Sequence, residues 1–291
     1  MEIRSLIYGL YPRSEKVRKS LSRWERNMIS EREVAELMYE ESQLYYKMCK
    51  VNGIELCSDP LFNWYDILRP LSLSIEGITL GSLTRYKETN TFYRMPIIND
   101  IISLGEINVF RSLKDNPPLP LYHPNDSDYL YFLPGIESFI KMSRVRGEGK
   151  QRGDEMVNIY NDIIKKYSIK SLVIYEPMNV SNFSIYDKIS PSVEILLVTS
   201  GKVDQNMFSS LARKFYSILS DNPYVVSKYC KIPGITIVDA FNTHLERDAL
   251  EKMKKYKDDF DEIIVTSNEY LDFLPRIIAD RKIEMMGSWG R

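Results

Sequence analysis

Eight short runs of β-branched and aliphatic residues, each closed by polar or turn residues and followed by a stretch with helical periodicity, constrain this chain more than any other feature. They are Ser5–Gly9, Ile54–Cys57, Ile107–Phe110, Tyr129–Leu133, Ser171–Tyr175, Val193–Val198, Gly234–Val238 and Glu262–Val265. Near-continuous apolar strands that alternate with helices pair in parallel, because helices must then cover the sheet. Eight of them in 291 residues make one closed α/β barrel rather than an open doubly wound sheet. The sequence is therefore read as a single (β/α)8 TIM-barrel domain over residues 1–291.

Local signals fill in the helices. Ser30 with Glu33 three residues on forms a capping box for a helix running to about Lys50, and Asn52-Gly53 stops it. Asp204 reads as the cap of a helix over Gln205–Leu219, and Thr243 or His244 as the start of one over Leu245–Tyr256. Two insertions interrupt the rhythm. Residues 78–99 alternate around a turn at Glu88–Asn90 and predict a hairpin after the second βα unit. Residues 141–154 combine Lys141, Arg144, Arg146, Lys150 and Arg152 with three glycines and predict a mobile loop.

Composition excludes several classes. Lys and Arg total 39 against 40 Asp and Glu, so no basic face is predicted for nucleic acid. No run approaches a membrane span, and Met1–Arg13 lacks the apolar region of a secretory leader, so a cytoplasmic protein is expected. Cys49, Cys57 and Cys230 are odd in number without C-x-x-C spacing and read as small buried apolar residues. Three glutamines among many Ile, Lys, Glu and Arg fit a thermophile.

A parallel barrel carries its chemistry at the carboxyl ends of its strands. Those exits present Tyr11 and Arg13, Ser58 and Asp59, Arg111, Pro134-Gly135, Glu176, Thr199–Lys202, Asp239–Asn242 and Thr266–Glu269. Asp59, Glu176, Asp239, Asn242 and His244 are the mouth candidates. Glu176 reads equally well as a ligand for an amine or hydroxyl and as a hydrogen-bond acceptor for a neighbouring loop. Phosphate-loop, dinucleotide, zincin and nucleophile-elbow signatures are missing, and two histidines far apart build no metal site.

The residues also resemble a family. Gly9-Leu-Tyr-Pro-Arg13, Arg18 to Trp24-Glu25, Asn52-Gly-Ile-Glu-Leu56, Phe62-Asn-Trp-Tyr-Asp66, Phe92-Tyr-Arg-Met95, Leu133-Pro-Gly-Ile-Glu137 and Glu176-Pro177 follow the order of motifs in the amino-terminal barrel of cobalamin-independent methionine synthase. The likeness is densest in the first hundred residues. Family enzymes join two barrels face to face; the second holds zinc and homocysteine, and both bind methyl-folate. The resemblance implies a single, zinc-free barrel equivalent to the first, with Arg13, Arg18 and Lys19 toward a pterin or folate.

The departures matter. The exits Val198-Thr-Ser-Gly-Lys202 and Val265-Thr-Ser-Asn268 carry neither His nor Cys, so the thiolate activation that the family's zinc provides has no ligands here. After Arg18 come Lys19, Ser20 and Leu21 in place of the family's E-L-K, and Pro120–Tyr129 replaces its K-W-F segment. The expectation is a chain that binds no cofactor of its own, takes a methylated pterin or folate as a shared substrate, and docks mouth to mouth on a separate zinc-bearing methionine synthase barrel. Two alternatives are an independent barrel enzyme using Glu176, Asp239, Asn242 and His244, and a scaffold without a ligand.

Overall fold

The computed structural model describes residues 1–105, 130–146 and 152–290. In chain order the elements are β1 (Glu2–Ile7), α1 (Glu15–Glu25), α2 (Glu31–Val51), β2 (Leu56–Cys57), α3 (Arg69–Ser74), β3 (Ile75–Arg85), β4 (Phe92–Leu104), β5 (Tyr131–Pro134), α4 (Ile136–Lys141), β6 (Arg144–Val145), α5 (Gly153–Lys166), β7 (Ser171–Glu176), β8 (Glu194–Thr199), β9 (Phe215–Ser220), α6 (Pro223–Val226), β10 (Cys230–Val238), α7 (Ala249–Met253), β11 (Glu262–Ser267) and α8 (Arg276–Ser288).

Eight strands form one parallel sheet in the order β2-β1-β11-β10-β9-β8-β7-β5. Its two ends meet: Ser58 bridges Leu130 in parallel, and the Leu130 N–H donates to the Cys57 carbonyl at 2.9 Å. The closed sheet is the predicted (β/α)8 barrel, wound strand by strand in sequence order. Strands β7 and β8 are buried almost throughout, which explains their continuous apolar runs.

The helices form where their ends are satisfied. Ser30 Oγ accepts from Glu33 N at 3.2 Å while the Glu33 carboxylate accepts from Ser30 N at 2.7 Å, so the capping box is complete. Ser14 Oγ accepts from Val17 N to cap α1. Between these two helices Val17, Leu21, Trp24, Val34, Leu37 and Met38 make a small core of their own, outside the barrel.

The hairpin is longer than its sequence signal. β3 and β4 pair antiparallel from Ile75↔Leu104 to Arg85↔Phe92, with β6 added parallel to β4. That third strand lies inside the stretch read as a loop over 141–154. There, Lys141 ends α4, Arg144 and Val145 make β6, and Arg152 immediately precedes α5 without a capping hydrogen bond from its side chain; residues 147–151 lie outside the described residues.

The run Ile107–Phe110 lies outside the described residues. Two further expectations change: β9 supplies a barrel strand where a helix over Gln205–Leu219 was expected, and only Gln205–Phe208 is helical there, as a 3-10 turn. β9 is buried at every position but Tyr216, the pattern of a barrel strand covered on both faces, which periodicity alone does not separate from a buried helical segment. The helix over Leu245–Tyr256 shrinks to α7 with a 3-10 extension, because Asn242 and Asp239 hold the preceding residues in turns.

Candidate functional site

The mouth of the barrel is filled by the tip of the β3–β4 hairpin. The Tyr86 N–H donates to the Thr91 carbonyl at 2.9 Å and closes the tip, with Lys87 at φ +48°. The Tyr86 hydroxyl reaches Glu269, just beyond β11, at 3.1 Å. The Lys87 ammonium pairs with the other Glu269 oxygen and donates to Ser200 Oγ, beyond β8, at 2.8 Å. Glu269 is 1% exposed, so the pair is desolvated on its acidic side.

Around this pair stands an aromatic wall. The rings of Tyr8 and Tyr175 lie 5.1 Å apart, those of Tyr86 and Tyr270 6.0 Å, and those of Tyr270 and Phe273 4.8 Å. Burial pushes the phenols of Tyr8, Tyr86, Tyr175 and Tyr270 well above their ordinary range, and the Glu269 charge pushes the same way. Each therefore stays neutral, a hydrogen-bond donor rather than a base. Gly9, at φ +70°, lets β1 leave close to Tyr270: a Cβ there would stand 3.1 Å from the Tyr270 Cβ. Beside the plug, a recess lined by Leu10, Asp66, Tyr93, Tyr270 and Asp272 measures about 20 Å³. That is room for about one water and far below the several hundred Å³ of a typical ligand pocket.

The sequence-predicted residues are scattered rather than convergent. Glu176 is fully buried: its carboxylate accepts from Glu137 N at 3.2 Å, Ser138 N at 2.8 Å and the Tyr186 hydroxyl. It caps the amino end of α4. Burial raises its pKa, and these hydrogen bonds oppose the rise. Asp59 Oδ1 accepts from Leu61 N at 2.7 Å, a turn that carries Leu61 through φ +53°; burial lifts its pKa from the ordinary 3.8 to about 6. Asp239 accepts from Phe241 N at 3.0 Å, and Asn242 from His244 N at 3.0 Å, while the His244 side chain is exposed.

Arg13 is tied to the loop after β2, donating from Nε to the Phe62 carbonyl at 2.7 Å and from Nη2 to the Trp64 carbonyl at 2.5 Å. Burial lowers its pKa and the Asp272 charge opposes that. Asp272 is solvent-accessible but recessed in the mouth, and desolvation raises its carboxyl to about 6. Arg18 and Lys19 lie on the exposed side of α1, Lys19 paired with Glu15 at 2.6 Å. Neither approaches Arg13 through any contact in the structure's described residues.

No three His, Cys, Asp or Glu side chains converge among the described residues. All three cysteines are buried. Cys49 hydrogen-bonds with Cys57, which together with burial holds its thiol well above the ordinary range and keeps it protonated. The residues sequence reasoning missed are Tyr86 and Lys87. Ser200 and Glu269 stood at strand exits, but the groups that join them come from a hairpin tip that no local pattern places in the mouth.

No protein-family model and no curated protein matches the sequence. Solved structures match the architecture, among them two methionine synthases. A B12-independent methionine synthase from Shewanella sp. W3-18-1, in complex with selenomethionine, aligns over 90% of this chain and 89% of its own with a TM-score of 0.65 and 12% identity. A putative vitamin-B12 independent methionine synthase from Listeria monocytogenes aligns over 100% of this chain and 98% of its own, with a TM-score of 0.66 and 10% identity. The fold is that of the B12-independent methionine synthases. At such identities the likeness is one of fold, which agrees with the order of motifs from Gly9 to Glu176.

Proposed function

We propose that this chain is the zinc-free companion of a separate methionine synthase barrel, docking on it mouth to mouth and helping to enclose a methylated pterin or folate for methyl transfer to homocysteine. One observation carries the reading: on this fold, the chain's own mouth is occupied by Tyr86 and Lys87 anchored on Glu269. A barrel with that plug offers a surface more readily than a cavity. The alternative of an independent enzyme using Glu176, Asp239, Asn242 and His244 has less support, since Glu176 is engaged in capping α4, Asp239 and Asn242 hold turns, and the His244 side chain stands exposed.

The exposed residues at this end suit a contact. Phe241 is 50% exposed, Phe92 53%, Tyr65 41% and Ile277 60%, all near strand exits or the hairpin tip. The Phe241 ring lies 4.9 Å from that of Phe273, tilted by 54°, so the surface aromatics continue into the wall around the plug. The Tyr65 ring lies under two guanidinium groups, Arg13 at 4.7 Å and Arg69 at 5.4 Å. Aromatic and Arg side chains of this kind dominate the energy of protein interfaces. A pterin would then lie between the two faces rather than inside this barrel.

Mixing the purified chain with the zinc-bearing barrel from the same cells and sedimenting the mixture tests the docking. A one-to-one complex that tightens with a methylated pterin is the expected result; two species sedimenting independently at micromolar concentrations would reject it.

A further inference from the structure

We propose that the barrel mouth is a binding site for a primary ammonium group, which the chain's own Lys87 occupies in this state. The receptor is assembled from separate elements: the Glu269 carboxylate after β11, Ser200 Oγ after β8, and the Tyr86 ring, whose centroid lies 5.4 Å from the Lys87 nitrogen. The walls are the rings of Tyr8, Tyr175 and Tyr270. An ammonium has three N–H donors, and a carboxylate, a hydroxyl and an aromatic face satisfy it more closely than they would a guanidinium or a metal ion.

The occupant comes from outside the barrel. Glu269 is 1% exposed and receives the Tyr86 and Ser200 hydroxyls as well, yet the cation that balances it is delivered by a hairpin tip. A buried carboxylate needs such a cation, and nothing in the barrel strands supplies one to Glu269 among the described contacts. Lys87 keeps 25% of its side chain exposed, so its ammonium has a route to solvent while Tyr86, 2% exposed, stays in the wall. Its φ of +48° is one that lysine adopts at a cost in strain. The tip itself is braced internally, by Thr89 Oγ1 donating to the Tyr86 carbonyl at 2.6 Å and Arg85 Nε to the Thr89 carbonyl at 2.5 Å.

The ligand class is a primary ammonium on a slender, unbranched stem, the shape of the lysine side chain that fills the site. A tethered lysine competes at an effective concentration of the order of millimolar, so an external amine meets a shielded site in the wild-type chain. This inference does not depend on docking to another barrel.

The test removes the occupant and returns it in trans. Lys87→Ala leaves a gap matched by n-propylammonium, which replaces the atoms from Cγ to Nζ. Titration of this variant should give saturable binding in the millimolar range with a rising Tm, at least tenfold tighter than for the wild-type chain. Tetramethylammonium at equal ionic strength should have no saturable effect, and the Lys87→Ala/Glu269→Gln double variant should lose the response to propylammonium. Where the alanine variant does not fold, Lys87→Met keeps the whole stem up to Cε, and the ammonium ion, which replaces Nζ alone, is the probe. Equal responses to propylammonium and tetramethylammonium, or a response that survives Glu269→Gln, would overturn the proposal.

Discussion

Gly135 makes room for the Glu176 carboxylate at the amino end of α4: a Cβ at residue 135 would stand 2.0 Å from the Glu176 Cδ. Because Glu176 is held by two backbone N–H groups and a tyrosine hydroxyl, it cannot give way without losing them. Gly135→Ala should therefore destabilise the fold by roughly 3 kcal/mol, read from the urea midpoint. A loss under about 0.5 kcal/mol would show that α4 moves freely. Asp59 makes a prediction of opposite sign. Its folded pKa, about 6, lies above the ordinary 3.8, so between those values the folded chain binds more protons than the unfolded one. Stability then falls as pH rises from about 4 to 6, by up to about 3 kcal/mol. Asp59→Asn keeps the acceptor for Leu61 N and should reduce that slope, leaving the part that Asp272 contributes in the same window, and raise stability at pH 7; an unchanged slope in the variant would reject the assignment.

Among the elements, those with self-contained signals were legible. The capping box of α2 is written in Ser30 and Glu33, and its prediction is simple: Ser30→Ala should cost about 1 kcal/mol of stability by denaturant titration. A cost indistinguishable from zero would mean that burial of Val34, Met38 and Tyr45 alone sets the helix. The hairpin was legible from alternation around Glu88–Asn90, but its docking was not, because the Lys87–Glu269 pair joins residues 182 apart. β9 was hidden for another reason. Ser217 and Ser220 interrupt its apolar pattern, and a short run buried on both faces carries no period to tell strand from helix; it is settled by the barrel's need for an eighth strand, a constraint no local window contains. Glu176 combined both difficulties: its position at a strand exit was plain, while its partners on α4 arise only when β5 and β7 pair.

At the scale of the whole molecule, eight parallel strands close through Ser58 and Leu130 into the barrel that the repeating runs predicted. Closure turns scattered polar residues into one face, and that face bears both the plug and the exposed aromatics. If it docks, Phe241→Asp should weaken complex formation with the zinc-bearing barrel by tenfold or more in sedimentation, leaving the Tm of the isolated chain within about 2 °C, since Phe241 is half exposed. Unaltered assembly would place the interface elsewhere. The most direct measurement is methyl transfer from a methylated pterin to homocysteine, run with this chain alone, with the zinc-bearing barrel alone, and with both. The companion reading predicts no turnover from this chain alone and a rate with both that exceeds the partner's own; turnover from this chain by itself, or a partner rate unchanged by its addition, would contradict it.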